Sequence, residues 1–317
     1  MVYQKIDQRA PMTIRKTGTG LFLAILFILI ITLGVCLGLI MFDVRNETTP
    51  AAPTSNEISG ETTSENIDDV IEDEIKPKEI DFQPVIDEWI KTTSGTRSVI
   101  LYDLDLDKVA GAYNADKQYN TASLYKLFVV YEGYRRVQFG EWSGDAGLIG
   151  GRTILTCLDL AIRESNSECA EAIWAKIGHA NLDEIIKNDF KITDSDISSL
   201  ISTPSDMVKM LKIYFYHDDI TNSDLVDTMK DSFLNQPTTE YNWRQGLPSG
   251  FKLANVYNKV GWDYDPDNKY WKLYHDAAIV EFPEQNRNFI IVVMSSRVPF
   301  QKIRQLGGMI EDYFNKY

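Results

Sequence analysis

The chain has 317 residues, 44% of them hydrophobic, with 32 Lys+Arg against 46 Asp+Glu and a formal charge of -14. That length allows one large domain or two small ones with appendages. An acidic chain with no basic block excludes the phosphate-contacting surface of a nucleic-acid binder. Three cysteines without a C-x-x-C exclude a disulfide scaffold, and three scattered histidines (His179, His217, His275) without H-E-x-x-H argue against a metal site.

Residues 1–20 carry Lys5, Arg9, Arg15 and Lys16 against Asp7. Leu21–Met41 follows as 21 residues without a charge, enough helix to span a ~30 Å hydrocarbon core. It exceeds the apolar region of a cleaved signal peptide, ~7–15 residues. The positive-inside rule puts the N-terminus in the cytoplasm and the rest outside, with the lipid bilayer contacted through 21–41. Cys36 follows Val35, a poor residue before a lipidated cysteine, so it is read as an apolar membrane residue. Residues 42–80 are an acidic Ser/Thr/Pro tether: Asp43 to Asp81 holds 12 Asp/Glu and 3 Lys/Arg, which is -9 of the total -14. Such a composition buries too little surface to offset chain entropy.

The folded domain is expected over 81–317. Pro84–Lys91 reads as a short helix, and Ser98–Leu104 with Val109–Asn114 as a hairpin around the turn Asp105–Lys108. Thr121–Val137 is helical, Thr153–Gly178 is helical in two pieces, and Asn181–Lys187 is a further short helix. Thr203-Pro204-Ser205-Asp206 is a helix start with Thr at the cap and Pro in the first turn. Val256–Lys259, Trp271–Phe282 and Phe289–Ser295 read as strands, and Ile303, Leu306, Ile310 and Tyr313 mark a closing amphipathic helix. Strands at both ends with helices between define one α+β domain.

Three short motifs carry chemistry. In Ser123-Leu124-Tyr125-Lys126 a spacing of three puts both side chains on one helix face. A serine hydroxyl needs a base, and a lysine serves when burial depresses its pKa. In Ser165-Asn166-Ser167 the first serine suits a proton relay and the third residue suits substrate positioning. Lys259-Val260-Gly261-Trp262 ends a strand, offering a positive charge, a glycine against which substrate can lie, and the Trp262 N–H. Each motif alone is weak. S-x-x-K recurs at Ser249–Lys252, K-x-G recurs at Lys16 and Lys176, and a helix-end serine or polar turn explains each pattern without function.

Their order, together with Thr203-Pro204-x-Asp206-Met207 and His275-Asp276-Ala277-Ala278-Ile279-Val280, resembles the penicillin-recognising serine hydrolases, closest to the class A β-lactamase-like branch, over roughly Ser98 to Tyr317. The resemblance implies a β-lactamase/transpeptidase-like fold, an antiparallel sheet packed against a helical half, with the site between them and no cofactor or metal. It implies Ser123 as acylated nucleophile, Lys126 as its base, Ser165 as proton relay and Lys259 as electrostatic anchor. Ser167 and Gly261 would meet substrate, and the N–H groups of Ser123 and Trp262 would form an oxyanion hole.

The chain departs from the pattern in three places. The loop that carries a deacylating glutamate in class A enzymes is read as deleted, because only Ser198–Ser202 separates Phe190–Ile197 from Thr203. No Glu lies between Glu184 and Glu240, and Asp194 and Asp196 read as turn or cap residues. Val260 stands where a Thr or Ser would bond a substrate carboxylate, and Ser167 stands where Asn is usual. The resulting expectation is a membrane-anchored extracellular serine hydrolase acting on a β-lactam or related amide. A D,D-peptidase-like enzyme on cell-wall stem peptide or an esterase-like enzyme is the alternative. So is a penicillin-binding or ligand-sensing pseudoenzyme, although 20 residues before the helix argue against direct signalling.

Three smaller expectations remain. The aspartate triplets at 103–107 and 263–267 read as hairpin turns rather than calcium loops. Cys157 and Cys169 are expected as buried thiols, since twelve residues of straight helix would hold them ~18 Å apart. Trp243, Trp262, Tyr264, Tyr270 and Trp271 are expected in core or hairpin packing.

Overall fold

The structure, a computed structural model, describes residues 77–238, 243–265 and 270–317. The expected tail, the membrane segment 21–41, Cys36 and most of the tether lie outside the described residues. Among the described residues no helix is long and apolar enough to cross a membrane.

Helix α1 (Gln83–Thr92) precedes a hairpin of β1 (Thr96–Asp103) and β2 (Lys108–Tyr113). Strand β3 (Tyr119–Asn120) leads into a 3-10 turn (Ala122–Leu124) and α2 (Tyr125–Gln138). A small ribbon of β4 (Gly147–Ile149) and β5 (Arg152–Thr153) precedes α3 (Ile154–Arg163), α4 (Ser167–Ile177) and α5 (His179–Asn188). After β6 (Ile201–Ser202) come α6 (Pro204–Tyr216) and α7 (Ser223–Leu234). The chain closes with β7 (Asn255–Asp265), β8 (Tyr270–Phe282), β9 (Arg287–Ser296) and α8 (Phe300–Phe314).

The five long strands form one antiparallel sheet in the order β2-β1-β9-β8-β7. Central β9 is apolar without alternation because both its faces are covered. Ile290, Val292 and Met294 join the core shared with the helices from α2 to α7. Phe289, Ile291 and Val293 join a second core with α1 and α8. The expected helical half therefore covers one face, and the two terminal helices form a third layer on the other. Ile80, placed by sequence at the end of the tether, is buried in that second core.

Local chemistry sets the helix starts near the site. Thr203 accepts the Asp206 N–H at 3.1 Å and Pro204 occupies the first turn of α6, as its sequence predicts. Asn166 caps α4 by accepting the Cys169 N–H at 2.9 Å. Asp103 pairs with Arg287, Asp105 accepts from Asn288, and Asp107 holds Tyr102 and Lys212, so this triplet is a turn cross-linked to its neighbours. The second triplet lies partly outside the described residues.

One expectation is overturned here. Cys157 and Cys169 form a disulfide, with Cα atoms 4.8 Å apart. The 18 Å figure assumed continuous helix. The chain instead reverses at Ser165, whose φ of 54° is left-handed, and α3 and α4 run side by side. The bridge clamps the two helices on either side of the Ser165–Ser167 turn. Replacing both cysteines by serine is expected to lower the unfolding free energy by about 2–4 kcal/mol. Urea denaturation beside the oxidised parent checks this, and an unchanged midpoint would remove the clamp from the account.

Candidate active site

The 3-10 turn lifts Ser123 to the edge of the helical layer, and α2 begins two residues later with Lys126 facing the same side. Lys126 is fully buried, and its Nζ donates to Ser123 Oγ at 3.2 Å. It also donates to Ser165 O at 2.5 Å, to Ser165 Oγ at 3.3 Å and to Ser167 Oγ at 3.0 Å. All four neighbours are neutral oxygens. Desolvation therefore dominates and lowers the Lys126 pKa to about 8, with Glu171 pulling weakly the other way. An amine poised there can take the proton of a hydroxyl 3.2 Å away.

The left-handed backbone at Ser165 lets one residue present both its carbonyl and its hydroxyl to Lys126. That hydroxyl also accepts from Lys259 Nζ at 2.9 Å, so it stands between two amines. Lys259 donates as well to the Val260 carbonyl at 2.9 Å. Complete burial and the nearby Lys126 charge push the Lys259 pKa well down, while Asp276 opposes the shift. The sequence motifs at Ser123, Lys126, Ser165 and Lys259 thus meet in one hydrogen-bonded cluster. Ser167 joins it through the base, as a partner of Lys126.

Alternation along β7 sorts the remaining motif residues. Lys259 and Gly261 face the helical half, whereas Val260 and Trp262 face the layer of α1 and α8. Val260 is buried among apolar side chains there, so a core position explains it, and its methyls are on the far face from Lys259. The Trp262 ring meets Trp243 at 4.2 Å, tilted by 45°, and Phe300 at 5.9 Å. Tyr264 is exposed, and the side chains of Tyr270 and Trp271 lie outside the described residues. Gly261 has a packing role of its own. A Cβ on it would stand 2.8 Å from the Thr121 carbonyl and 3.1 Å from Leu124 Cγ, so this glycine seats the serine-bearing turn on the sheet.

His275 is a strut that the sequence placed beside the site without a role. Its Nδ1 accepts the Ser295 N–H at 3.0 Å, which leaves Nε2 to donate to the Asn120 carbonyl at 2.8 Å. Burial lowers its pKa to about 4, so it stays neutral and ties β8 to the residues just before Ser123. From the other side Thr121 N donates to Leu200 O at 2.8 Å, and β3 pairs with β6. The segment between α5 and α6 is a tight turn closed by an Asp196–Ile201 bridge. Asp196 accepts from Ser199 N at 3.0 Å and Ser199 Oγ at 2.7 Å, and the Asp194 N–H is held by buried Asp206 at 2.9 Å. Among the described residues no carboxylate of that segment touches Ser123 or Lys126.

A serine hydroxyl beside a buried lysine, a second hydroxyl shared by two amines and a further lysine on a sheet edge make up the candidate site of this α+β fold. The Beta-lactamase enzyme family matches residues 81–314. Solved structures agree in fold. An ancestral class A β-lactamase is 16% identical with a TM-score of 0.62, covering 73% of this chain and 99% of its own. A protein designated PBP-A is 16% identical at 0.64, covering 76% and 99%. A β-lactamase from Xanthomonas campestris is 13% identical at 0.64, covering 73% and 96%. No curated protein matches the chain. The chain belongs to the beta-lactamase enzyme family.

Two outcomes are expected. An acylation of Ser123 that uses Lys126 as base needs the neutral amine, so its rate should rise with pH through about 8 and then level off. A stopped-flow profile with inflection near 10 would remove the depressed lysine from the mechanism. Gly261→Ala should slow acylation at least tenfold with the fold retained, because its methyl pushes on Thr121 and Leu124. Circular dichroism beside the rate separates displacement of the turn from unfolding.

Proposed function

We propose that the protein is a membrane-anchored, outward-facing serine hydrolase that forms an acyl-enzyme through Ser123 on a β-lactam or a related strained or peptidyl amide. The observation that carries this reading is Lys126 Nζ, fully buried and 3.2 Å from Ser123 Oγ, with its pKa lowered to about 8. The Ser123 hydroxyl gives its proton to Lys126 as its oxygen bonds the carbonyl carbon. Ser165 then passes that proton to the leaving nitrogen as the C–N bond breaks. The developing oxyanion would take the N–H groups of Ser123 and Trp262. An anionic group on the substrate would add to the counter-charge that Asp276 already gives Lys259. Residues 21–41 would anchor the chain in the bilayer and 42–80 would hold the domain away from it.

A second reading, a penicillin-binding protein that acylates and then holds its adduct, draws support from the segment between α5 and α6, which brings no carboxylate onto Ser123 or Lys126. Intact-mass spectrometry of the full chain in detergent, with a penicillin, tests both. An adduct on the wild type and none on Ser123→Ala is the expected result, and its lifetime separates hydrolase from binder. An equal adduct on both proteins would sink Ser123 as nucleophile. No adduct with β-lactams, D-Ala peptides or esters would sink acyl-enzyme chemistry altogether.

A further inference from the structure

Deacylation needs a base for water, and the candidates can be sorted by what already holds them. Asp196 spends both oxygens on its own turn, and Asp206 accepts from Asp194 N, Ser195 Oγ and Lys209. Glu168 pairs with Arg152 at 2.8 Å. Glu171 differs. It lies on α4 four residues after Ser167, hence on the same helix face, and Ser167 Oγ is 3.0 Å from Lys126 Nζ. Its Oε1 accepts the phenol of Tyr125, the residue preceding Lys126, at 2.6 Å. Its Oε2 has no partner among the described residues, and the side chain is exposed to water. Glu171 is also the carboxylate whose field reaches Lys126.

We propose that the Glu171 carboxylate, oriented by the Tyr125 phenol, is the general base for the water that hydrolyses the Ser123 acyl ester. The inference rests on the acyl-enzyme reading above. Glu171 removes one proton from water as the water oxygen bonds the acyl carbon. The tetrahedral adduct collapses and the C–Oγ bond breaks as Glu171 returns its proton to neutral Lys126, which passes one on to Ser123 Oγ and is neutral again. One water is consumed, the acid leaves, and serine, lysine and glutamate regain their starting states. Burial and the adjacent carboxylate raise the Tyr125 pKa, so the phenol keeps its proton and remains a donor to Glu171. Tyr125 acts through Glu171 and is a positioning residue.

The test follows adduct formation and decay on wild type, Glu171→Gln, Tyr125→Phe and the double variant, with a chromogenic cephalosporin and intact mass. Glu171→Gln should acylate within about threefold of wild type and lose its adduct about a hundredfold or more slowly, in the range general-base removal gives. Tyr125→Phe should slow decay less, and add nothing to Glu171→Gln in the double variant. Removing the Glu171 charge should also move the acylation inflection to lower pH, since that charge supports protonated Lys126 beside Lys259. Decay at the wild-type rate in Glu171→Gln overturns the proposal, as does loss of acylation in a variant that unfolds like wild type. A wild-type adduct that never decays also overturns it. No adduct on any variant, wild type included, marks failure of the acyl-enzyme reading itself and ends this inference with it.

Discussion

The structure turns on the burial of one lysine. Taking the Lys126 amine out of water disfavours its charge, and nothing adjacent supplies a full counter-charge. Four neutral oxygens from Ser123, Ser165 and Ser167 satisfy its hydrogen-bonding capacity instead. Assembling them requires the chain to reverse between α3 and α4 in three residues. The left-handed Ser165, the Asn166 cap and the Cys157–Cys169 bridge all serve that reversal. Each stabilises the turn independently of the lysine, which is why a desolvated base can persist there.

The sheet meets this turn through very small tolerances. Gly261 permits the Thr121 carbonyl to approach, and His275 holds the Asn120 carbonyl from the next strand. A two-residue pairing of β3 with β6 closes the same segment from below. The turn that carries Ser123 is therefore held through its backbone from three directions, with little reliance on the serine side chain. Strand alternation then decides which residues reach the site at all. Lys259 does, while Val260, one residue on, belongs to a separate core.

Much of this was legible in the sequence, for reasons that can be named. Helix starts at Thr203 and strands such as Phe289–Ser295 follow from local capping and apolar runs, and the three motifs kept their order around the site. Pairing across space was not legible. The disulfide was missed because a straight helix was assumed through Ser165, and a left-handed serine carries no strong sequence signal. Helix α7 was missed although Asn222 caps it through Asp224 and Leu225 N–H groups, a start pattern present in the letters. Val260 was judged by its chemistry when the period of two already put it on the face opposite Lys259. Glu171 stands four residues after Ser167, a spacing that could have drawn attention to it.

Ser165 is the hinge between the two lysines, and its position explains how the site manages charge. Its hydroxyl lies 3.3 Å from Lys126 Nζ and 2.9 Å from Lys259 Nζ, while the Lys126 charge disfavours a proton on Lys259. On the proposed mechanism, a proton that Lys126 takes from Ser123 further disfavours charge on Lys259. The path open to it is the hydroxyl that touches both amines. A leaving nitrogen at that hydroxyl would receive the proton as its bond breaks, returning Lys126 to the neutral state that acylation requires. One hydroxyl shared by two buried amines would therefore give the proposed transfer a path that a single exposed lysine beside a serine lacks.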